Sequence, residues 1–231
     1  MAGFYNRNDS LEAIDDYVAR VRNCALPAAS LEDAVRVARD EDEEEGVANL
    51  VISGELVDCN FTGMSFERMC FINCSFRDCR FSRASWIDCL FWSSDFSNCN
   101  FENGFWSSSC CARTKGVGAN FSAGRMNGLR FVQCNMQYSN FARCRLSKVK
   151  VEASDFTESA FPEANLLEFA PSESRFSRAN FFHTPLKGVD WTTCEIDALG
   201  LSESAVELRN AVVNPVQAAE LARLLGVIVK S

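Results

Sequence analysis

Few side chains in this sequence could carry out chemistry, and their spacing does not form a catalytic or metal-binding site. The 231 residues contain one histidine, His183, and 12 cysteines. Nucleophilic catalysis needs a base held beside a serine or cysteine, which an isolated, outward-facing histidine does not provide. Eight cysteines recur at multiples of five residues, which is not the spacing of a structural zinc site. The sequence therefore predicts no catalytic residue, no metal, no cofactor and no enzyme activity.

A period of five residues organises the middle of the chain. Every fifth residue from Val51 to Val206 is large and apolar at 29 of 32 positions, the exceptions being Cys111, Gly116 and Pro171. The position two residues earlier holds Gly, Ala, Ser, Cys or Thr in 24 of 31 cases, and neither position carries a charge. A helical period of 3.6 or a strand period of 2 does not produce this pattern.

The five-residue period predicts a four-sided coil in which each group of five residues forms one side. One large and one small side chain point inward, because so narrow an interior has no room for large side chains only. Four sides make a turn of 20 residues, and 32 groups make eight turns, which stack to about 38 Å. The cysteines Cys59, Cys79 and Cys99 are expected to stack as small, reduced, inward side chains.

This pattern resembles the pentapeptide-repeat family, whose usual unit is A-(D/N)-(L/F)-x-x. The segments Cys59-Asn60-Phe61-Thr62-Gly63 and Ala179-Asn180-Phe181 carry the resemblance, which covers residues 51–206. It implies an all-β solenoid, a right-handed quadrilateral parallel β-helix of pentapeptide repeats. We expect this β-helix at residues 47–208, between short N-terminal helices and a C-terminal capping helix plus strand.

Residues 1–46 predict a helical extension that ends in an acidic linker. Asp9-Ser10-Leu11-Glu12 is a start similar to a capping box, and Ser30 is the expected cap of a second helix. The acidic run from Asp40 to Glu45 is interpreted as a solvated spacer that also caps the first turn of the coil. The apolar faces expected on the two helices consist of Leu11, Ile14, Val18 and Val21, and of Leu31, Val35 and Ala38.

Residues 209–231 predict a cap for the last turn and a dimer contact. Asn214-Pro215-Val216-Gln217 is a helix start with Pro at the first position, Gly226 ends that helix, and Val227–Val229 is the expected strand. So short a helix needs the last turn to pack against, and we also expect it to pair with a second copy. The predicted dimer residues are Val216, Leu221, Leu224, Leu225, Val227, Ile228 and Val229.

This tail resembles that of the quinolone-resistance group of pentapeptide-repeat proteins. The resemblance implies a two-fold dimer that binds DNA gyrase or topoisomerase IV and protects it from quinolone-like drugs or toxins. The group generally begins its coil near residue 1, so the 46-residue extension departs from its pattern.

Charge divides the coil into two halves. Residues 67–150 carry 12 basic and 5 acidic groups, and residues 151–206 carry 3 basic and 10 acidic groups, within a chain of net charge −8. A dimer through the C-termini would place the two acidic halves at its centre, where they could occupy a basic groove made for duplex DNA. The basic residues scatter over all four sides, so we expect no direct binding of nucleic acid. The predicted partner-binding residues are Glu152, Asp155, Glu158, Glu173, Asp190, Glu195 and Asp197.

The stretch from Gly104 to Gly118 has the weakest repeat pattern and permits two interpretations. It could project as a loop, with Ser108, Arg113 and Lys115 as candidate contact residues, or it could be an imperfect part of the coil. Its Gly-x-Gly lacks the other residues of a phosphate-binding loop. We also expect one of Cys110 and Cys111 to be exposed and Pro171 to distort the coil, because proline lacks a backbone donor.

A second hypothesis is a structural scaffold in which the N-terminal helices dock onto an unrelated protein. The chain has no run of 18 apolar residues and no secretory pattern at its start, so the sequence predicts a cytoplasmic protein without a membrane contact.

Overall fold

From residue 47 onward, each turn of the chain stacks on the turn before it. The structure is a computed structural model that describes residues 10–40, 46–224 and 226–229, with only the backbone at residues 37–40. The predicted acidic run beyond Asp40 and the predicted contact residue Leu225 lie outside these described residues. What the structure shows is a parallel β-solenoid with three α-helices.

The helices and strands follow the chain in a simple order. The helices are α1 (Leu11–Val21), α2 (Ala28–Asp40) and α3 (Pro215–Leu224). The strands are β1 (Leu26–Pro27), β2 (Val47–Ala48), β3 (Val51–Val57), β4 (Ser65–Glu67), β5 (Cys70–Arg77), β6 (Ser85–Ile87), β7 (Leu90–Trp92), β8 (Phe105–Ser107), β9 (Cys110–Ala112), β10 (Arg125–Asn127), β11 (Arg130–Val132), β12 (Arg145–Ser147), β13 (Lys150–Glu152), β14 (Asn165–Leu167) and β15 (Ala170–Ser172).

Two parallel sheets form two adjacent sides of the coil. One sheet has the order β1-β3-β5-β7-β9-β11-β13-β15, and the other runs from β2 through the even-numbered strands to β14. Paired residues are 20 apart, as in Phe131↔Val151. Isolated bridges such as Asn100↔Asn120 join the other two sides. The predicted turn of 20 residues and the pentapeptide-repeat β-helix are confirmed.

Strand pairing covers about six of the eight predicted turns. In the first sheet, strands begin every 20 residues from Cys70 onward. The last of them is β15, which begins at Ala170. Beyond it the coil continues through isolated bridges such as Asn180↔Gly200 and Asp190↔Val212. The last turns therefore belong to the coil but lack strands.

Two prolines account for the end of both sheets. Backbone N–H groups normally bond to the neighbouring turn, as Arg145 N does to Gly124 O and Lys150 N to Leu129 O, at 2.9 and 3.0 Å. Pro185 and Pro171 occupy ladder positions after β14 and in β15, and proline has no N–H to donate. Within the described chain, no hydrogen bond from backbone to backbone links residues 165–173 to residues 185–193 on these two sides. The predicted distortion at Pro171 is thus confirmed.

The large inward residues form continuous aromatic columns. Seven phenylalanines spaced by 20 residues stack with ring centroids 4.8–5.2 Å apart, a favourable offset arrangement. They are Phe61, Phe81, Phe101, Phe121, Phe141, Phe161 and Phe181. Since each of the five inner rings lies between two others, the column fixes the register of successive turns.

The predicted register is wrong at both ends of the repeat. At the start Ile52 is fully buried and pairs with Phe71, while Val51 lies on the outer side, and a register shift before Gly54 restores the expected pattern. At the end Val206 is 43 % exposed because the chain forms a short 3₁₀ turn there, which buries Glu207 instead.

The stretch from Gly104 to Gly118 is a regular part of the coil, so its interpretation as a projecting loop is wrong. It contains β8 and β9, and β9 pairs in register with β7 and β11. Gly116 occupies an inward position, where an added Cβ would overlap Phe96 and come within 2.8 Å of Met136. These two side chains fill the space that a large residue would occupy. Cys110 and Cys111 are both buried, so the prediction that one is exposed is also wrong.

The first helix lies along the outside of the first sheet. A helix begins here as predicted, and its cap is Ser10, which accepts a hydrogen bond from Ala13 N at 3.3 Å. Asp9, with which the predicted pattern began, lies outside the described residues. Ile14, Tyr17 and Val18 of α1 are buried. They pack on apolar side chains that point outward from four turns, namely Cys70, Ile72, Leu90, Cys110, Ala112 and Val132. The helix thus covers an apolar strip on the surface of the coil.

The second helix closes the first turn. Its residues Leu31 and Val35 are buried in the main core, and β1 pairs with β3 through Leu26↔Ile52. The structure therefore assigns the capping of the first turn to β1 and α2. The predicted cap Ser30 is wrong, because α2 begins at Ala28 directly after Pro27 and Ser30 lies inside its first turn.

The third helix closes the last turn as predicted. Asn214 and Gln217 form a reciprocal capping box, with N–H to side-chain oxygen distances of 2.8 and 3.0 Å. The buried Gln217 side chain also donates to the carbonyl oxygens of Trp191 and Cys194, at 2.8 and 2.7 Å. Gly226, with φ +77°, ends the helix. The strand expected at Val227–Val229 does not form, because these residues pair with no strand in the described part of the chain.

Candidate protein-interaction surfaces

The predicted acidic residues lie on the outer surface of the second half of the coil, but ion pairs engage three of them. Glu158 pairs with Arg178 at 2.6 Å, and Glu195 pairs with Arg175 at 2.7 Å. Glu152 accepts two hydrogen bonds from a single nitrogen, Nη2 of Arg130, at 3.1 and 3.2 Å. The pairs of Arg175 and Arg178 are exposed and add little stability, and all three pairs reduce the negative potential locally.

The other four acidic residues, Asp155, Glu173, Asp190 and Asp197, are in no ion pair that the structure shows. Burial raises the pKa of Asp155, but hydrogen bonds from Thr157 and Gln137 outweigh it and lower the pKa below its usual value. Hydrogen bonds from the Thr192 side chain and N–H lower the pKa of Asp190. These carboxylates keep their charge at neutral pH.

The predicted loop residues do not act together. Ser108 is a corner residue with φ 54°, and Lys115 lies in the bridged column between Asp95 and Asn135. Arg113 instead holds α1, because its guanidinium donates to Asp15 at 2.7 Å and lies 5.8 Å from the Trp92 ring. The Trp92 indole N–H also donates to Asp15, at 3.0 Å. No pattern in the sequence indicated this contact, whose partners are 77 and 98 residues apart.

The predicted dimer residues are mostly exposed around α3. The exposed fractions are 70 % for Val216, 52 % for Val227 and 85 % for Ile228, while Leu224 is half exposed. Val229 is partly buried, and Leu221 is buried in the core of the coil, so it serves the cap. The exposed side chains form an apolar end surface next to the acidic half.

The inward cysteines are hydrogen-bond donors as well as small side chains. Their thiols reach carbonyl oxygens of the preceding turn, as Cys74 does to Ile52 O at 3.3 Å and Cys144 to Phe121 O at 2.9 Å. Ser94 uses the same position and donates to Phe71 O at 3.2 Å. Burial raises the pKa of Cys74 and Cys144 to about 12. These thiols are therefore protonated and poor nucleophiles.

The single histidine is exposed and stacks on Phe182 with ring centroids 3.9 Å apart. Its backbone N–H donates to the buried carboxylate of Glu207 at 2.9 Å, and Ser202 donates through N–H and hydroxyl at 3.1 and 2.9 Å. Burial raises the pKa of Glu207, but these hydrogen bonds outweigh it and lower the pKa. Sequence reasoning missed this carboxylate, which organises the last turn.

In the described part of the chain, no group of three or more His, Cys, Asp or Glu side chains is placed to hold a metal ion. No described helix is long and apolar enough to cross a membrane.

Comparison with known proteins identifies the repeat. A sequence profile of pentapeptide repeats matches residues 74–104 and 117–152, in eight copies. No curated protein matches the chain. Among solved structures, full-length QnrB1, a plasmid-mediated fluoroquinolone resistance protein, is 18 % identical over 78 % of this chain and 100 % of its own, with a TM-score of 0.37. HetL, a pentapeptide-repeat protein involved in heterocyst differentiation regulation from the cyanobacterium Nostoc, is 11 % identical over 77 % of this chain and 92 % of its own, with a TM-score of 0.25.

Proposed function

Because the chain carries pentapeptide repeats folded as a four-sided β-solenoid, we propose that it acts by binding another protein, a type II topoisomerase. In this proposal a homodimer joined at the C-termini occupies the DNA-binding groove of DNA gyrase or topoisomerase IV. It thereby protects the enzyme from quinolone-like drugs or toxins. One observation carries the proposal: the acidic half of the coil directly adjoins an end cap with an exposed apolar surface.

The charge density of the acidic half is close to that of DNA. Residues 151–206 have a net charge of −7, from 3 basic and 10 acidic groups. These 56 residues make 2.8 turns of 20, which at about 4.8 Å a turn extend for about 13 Å. The result is one negative charge per ~1.9 Å, compared with about 1.7 Å for duplex DNA. A basic groove made for a duplex would attract such a rod over a similar length.

The surface on which the scaffold hypothesis depended, the apolar faces of the two N-terminal helices, is not free to dock onto another protein. The apolar faces of α1 and α2 are both buried against this chain's own coil, through Ile14, Val18, Leu31 and Val35. Deleting residues 1–46 would expose the apolar strip beneath α1, so this deletion cannot distinguish the two hypotheses. Substitutions of individual surface charges are the suitable test.

The proposal is tested with a gyrase supercoiling assay in the presence of a quinolone, with titration of the purified protein. Aspartate-to-asparagine substitutions remove charge but keep the side-chain oxygen that accepts the turn hydrogen bond. Since the acidic half provides the contact, a triple variant there should need at least about tenfold more protein for the same rescue, about 1.4 kcal/mol of binding. The triple variant is Asp155→Asn, Asp190→Asn and Asp197→Asn.

A matched control makes the same charge change in the basic half of the coil. It consists of Asp78→Asn, Asp88→Asn and Asp95→Asn, of which Asp95 accepts the same kind of turn hydrogen bond from Ser97 as Asp190 does from Thr192. Unchanged rescue by the control together with loss in the acidic variant supports the proposal. No rescue by micromolar wild-type protein, or equal loss in both variants, would rule it out.

A further inference from the structure

A groove of about 400 Å³ opens at the corner between the two sheets, beside the point where both sheets end. Its walls are the corner residues and the adjoining first-sheet residues of three successive turns. The lining residues are Gly128, Arg130, Lys148, Lys150, Glu168, Phe169 and Ala170. Gly128 and Ala170 leave room where other turns carry larger side chains. The volume lies within the range of small-molecule sites.

The groove is cationic because like charges stack across it. Arg130 and Lys150 are directly paired in the ladder of the first sheet, where like charges destabilise a parallel pair. On the adjoining sheet Arg125 and Arg145 are likewise directly paired. Lys148 lies at the corner between these two pairs, in the left-handed backbone region at φ 54°. Three cations, Arg130, Lys148 and Lys150, thus line the groove on two adjacent turns, and Arg125 and Arg145 lie on the adjoining sheet outside its lining.

Few anions balance these cations. Arg130 is buried and held by Glu152, and Glu168 lines the groove. In the described part of the chain, the structure shows no ion pair for Lys148 or Lys150, both of which are exposed. Three cationic side chains, Arg130, Lys148 and Lys150, against the two carboxylates Glu152 and Glu168 leave an excess of one positive charge around a preformed concave site.

We propose that this groove binds a small molecule through a phosphate group. A phosphate has about −1.5 to −2 charges and three acceptor oxygens, and so matches two lysine ammonium groups next to a fixed guanidinium. A carboxylate carries only one charge, and Glu152 already supplies one to Arg130. Binding would relieve the repulsion between the stacked cations, so the ligand would also stabilise these turns. The inference does not depend on the proposed topoisomerase partner.

The test uses the full chain and inorganic pyrophosphate, with binding measured by isothermal titration calorimetry at low ionic strength. We expect saturable binding of one pyrophosphate per chain. The variant Lys148→Gln with Lys150→Gln should bind at least about tenfold more weakly, since charge-assisted hydrogen bonds are lost. The control variant Lys115→Gln with Lys187→Gln has the same net charge and should bind as the wild type does. Circular dichroism should show that all three proteins fold alike.

Three results would overturn the inference. Wild-type protein that shows no binding at millimolar pyrophosphate has no such site. Equal weakening in both double variants would mean that overall charge, and not the groove, attracts the anion. A DNA duplex that displaces pyrophosphate and binds far more tightly, with the same dependence on Lys148 and Lys150, would identify a nucleic-acid surface instead.

Discussion

Replacement of Gly116 by alanine gives opposite results for a loop and for a packed coil. In a loop, Gly→Ala stabilises a protein by about 0.4–1 kcal/mol, because the unfolded chain loses conformational freedom. In this structure the new Cβ would overlap Phe96 Cε2 and lie 2.8 Å from both Cε and Sδ of Met136. Since carbon atoms normally approach to about 3.5–4.0 Å, these side chains must shift. Such overpacking typically costs about 1–3 kcal/mol. The expected net loss of unfolding free energy is therefore about 1–2 kcal/mol.

Equilibrium unfolding in guanidinium, followed by tryptophan fluorescence, measures this loss. The variant Phe96→Leu removes the atom that the new methyl group overlaps, so it provides a background in which Gly116→Ala should cost less. Side chains in contact couple by about 0.5–3 kcal/mol in such double-mutant cycles. Gly116→Ala that is neutral or stabilising, or that costs the same in both backgrounds, would refute the inward placement of Gly116.

Three further predictions concern the segments before and after the regular repeat. Asp15→Ala removes the carboxylate that accepts hydrogen bonds from Trp92 and Arg113. The backbone amide hydrogens of residues 11–21 should therefore exchange faster with solvent, as measured by mass spectrometry. Unchanged exchange would mean that apolar packing alone holds α1. The lowered pKa of Glu207 implies stability that is present above its ordinary pKa of about 4.5 and is lost as the pH falls through the lower folded-state value. Glu207→Gln should therefore flatten the acid limb of stability measured between pH 7 and 3, and an unchanged limb would contradict this. Ile228→Asp should leave the circular dichroism spectrum unchanged but halve the mass found by light scattering, and a mass that stays dimeric would place the interface elsewhere.

The repeat could be predicted because it depends on side-chain size and charge at fixed positions. The start of α1 and the capping box at Asn214 were likewise local patterns. The fold of the stretch from Gly104 to Gly118 was harder to predict, because its Gly116 is too small to fill its inward position. Phe96 and Met136 of the neighbouring turns fill that space, which becomes evident only when the turns are stacked.

The position of α1 could have been recognised from the outward residues of the coil. Cys70, Leu90 and Cys110 share one outward column, and an apolar outward column is unexpected in a coil that faces water. The sequence does not indicate which segment covers it. The burial of Glu207 had no sequence signal, because it follows from the 3₁₀ turn that ends the repeat. Likewise, the seven predicted acidic residues lie on the surface, but the ion pairs that engage three of them required the turns to be placed.

The loss of ladder bonds at Pro171 and Pro185 affects how the rod responds to force. Two adjacent sides are interrupted between the same two turns, whereas the opposite sides keep bonds such as Arg175 N to Ser154 O and Asn180 N to Ser159 O, both 2.9 Å. Bending that opens the interrupted sides stretches no hydrogen bond between backbone groups of the described chain there, so the bonded sides act as a hinge. The rod is therefore more compliant in one direction than in the others, at a fixed point about two turns before its C-terminal cap.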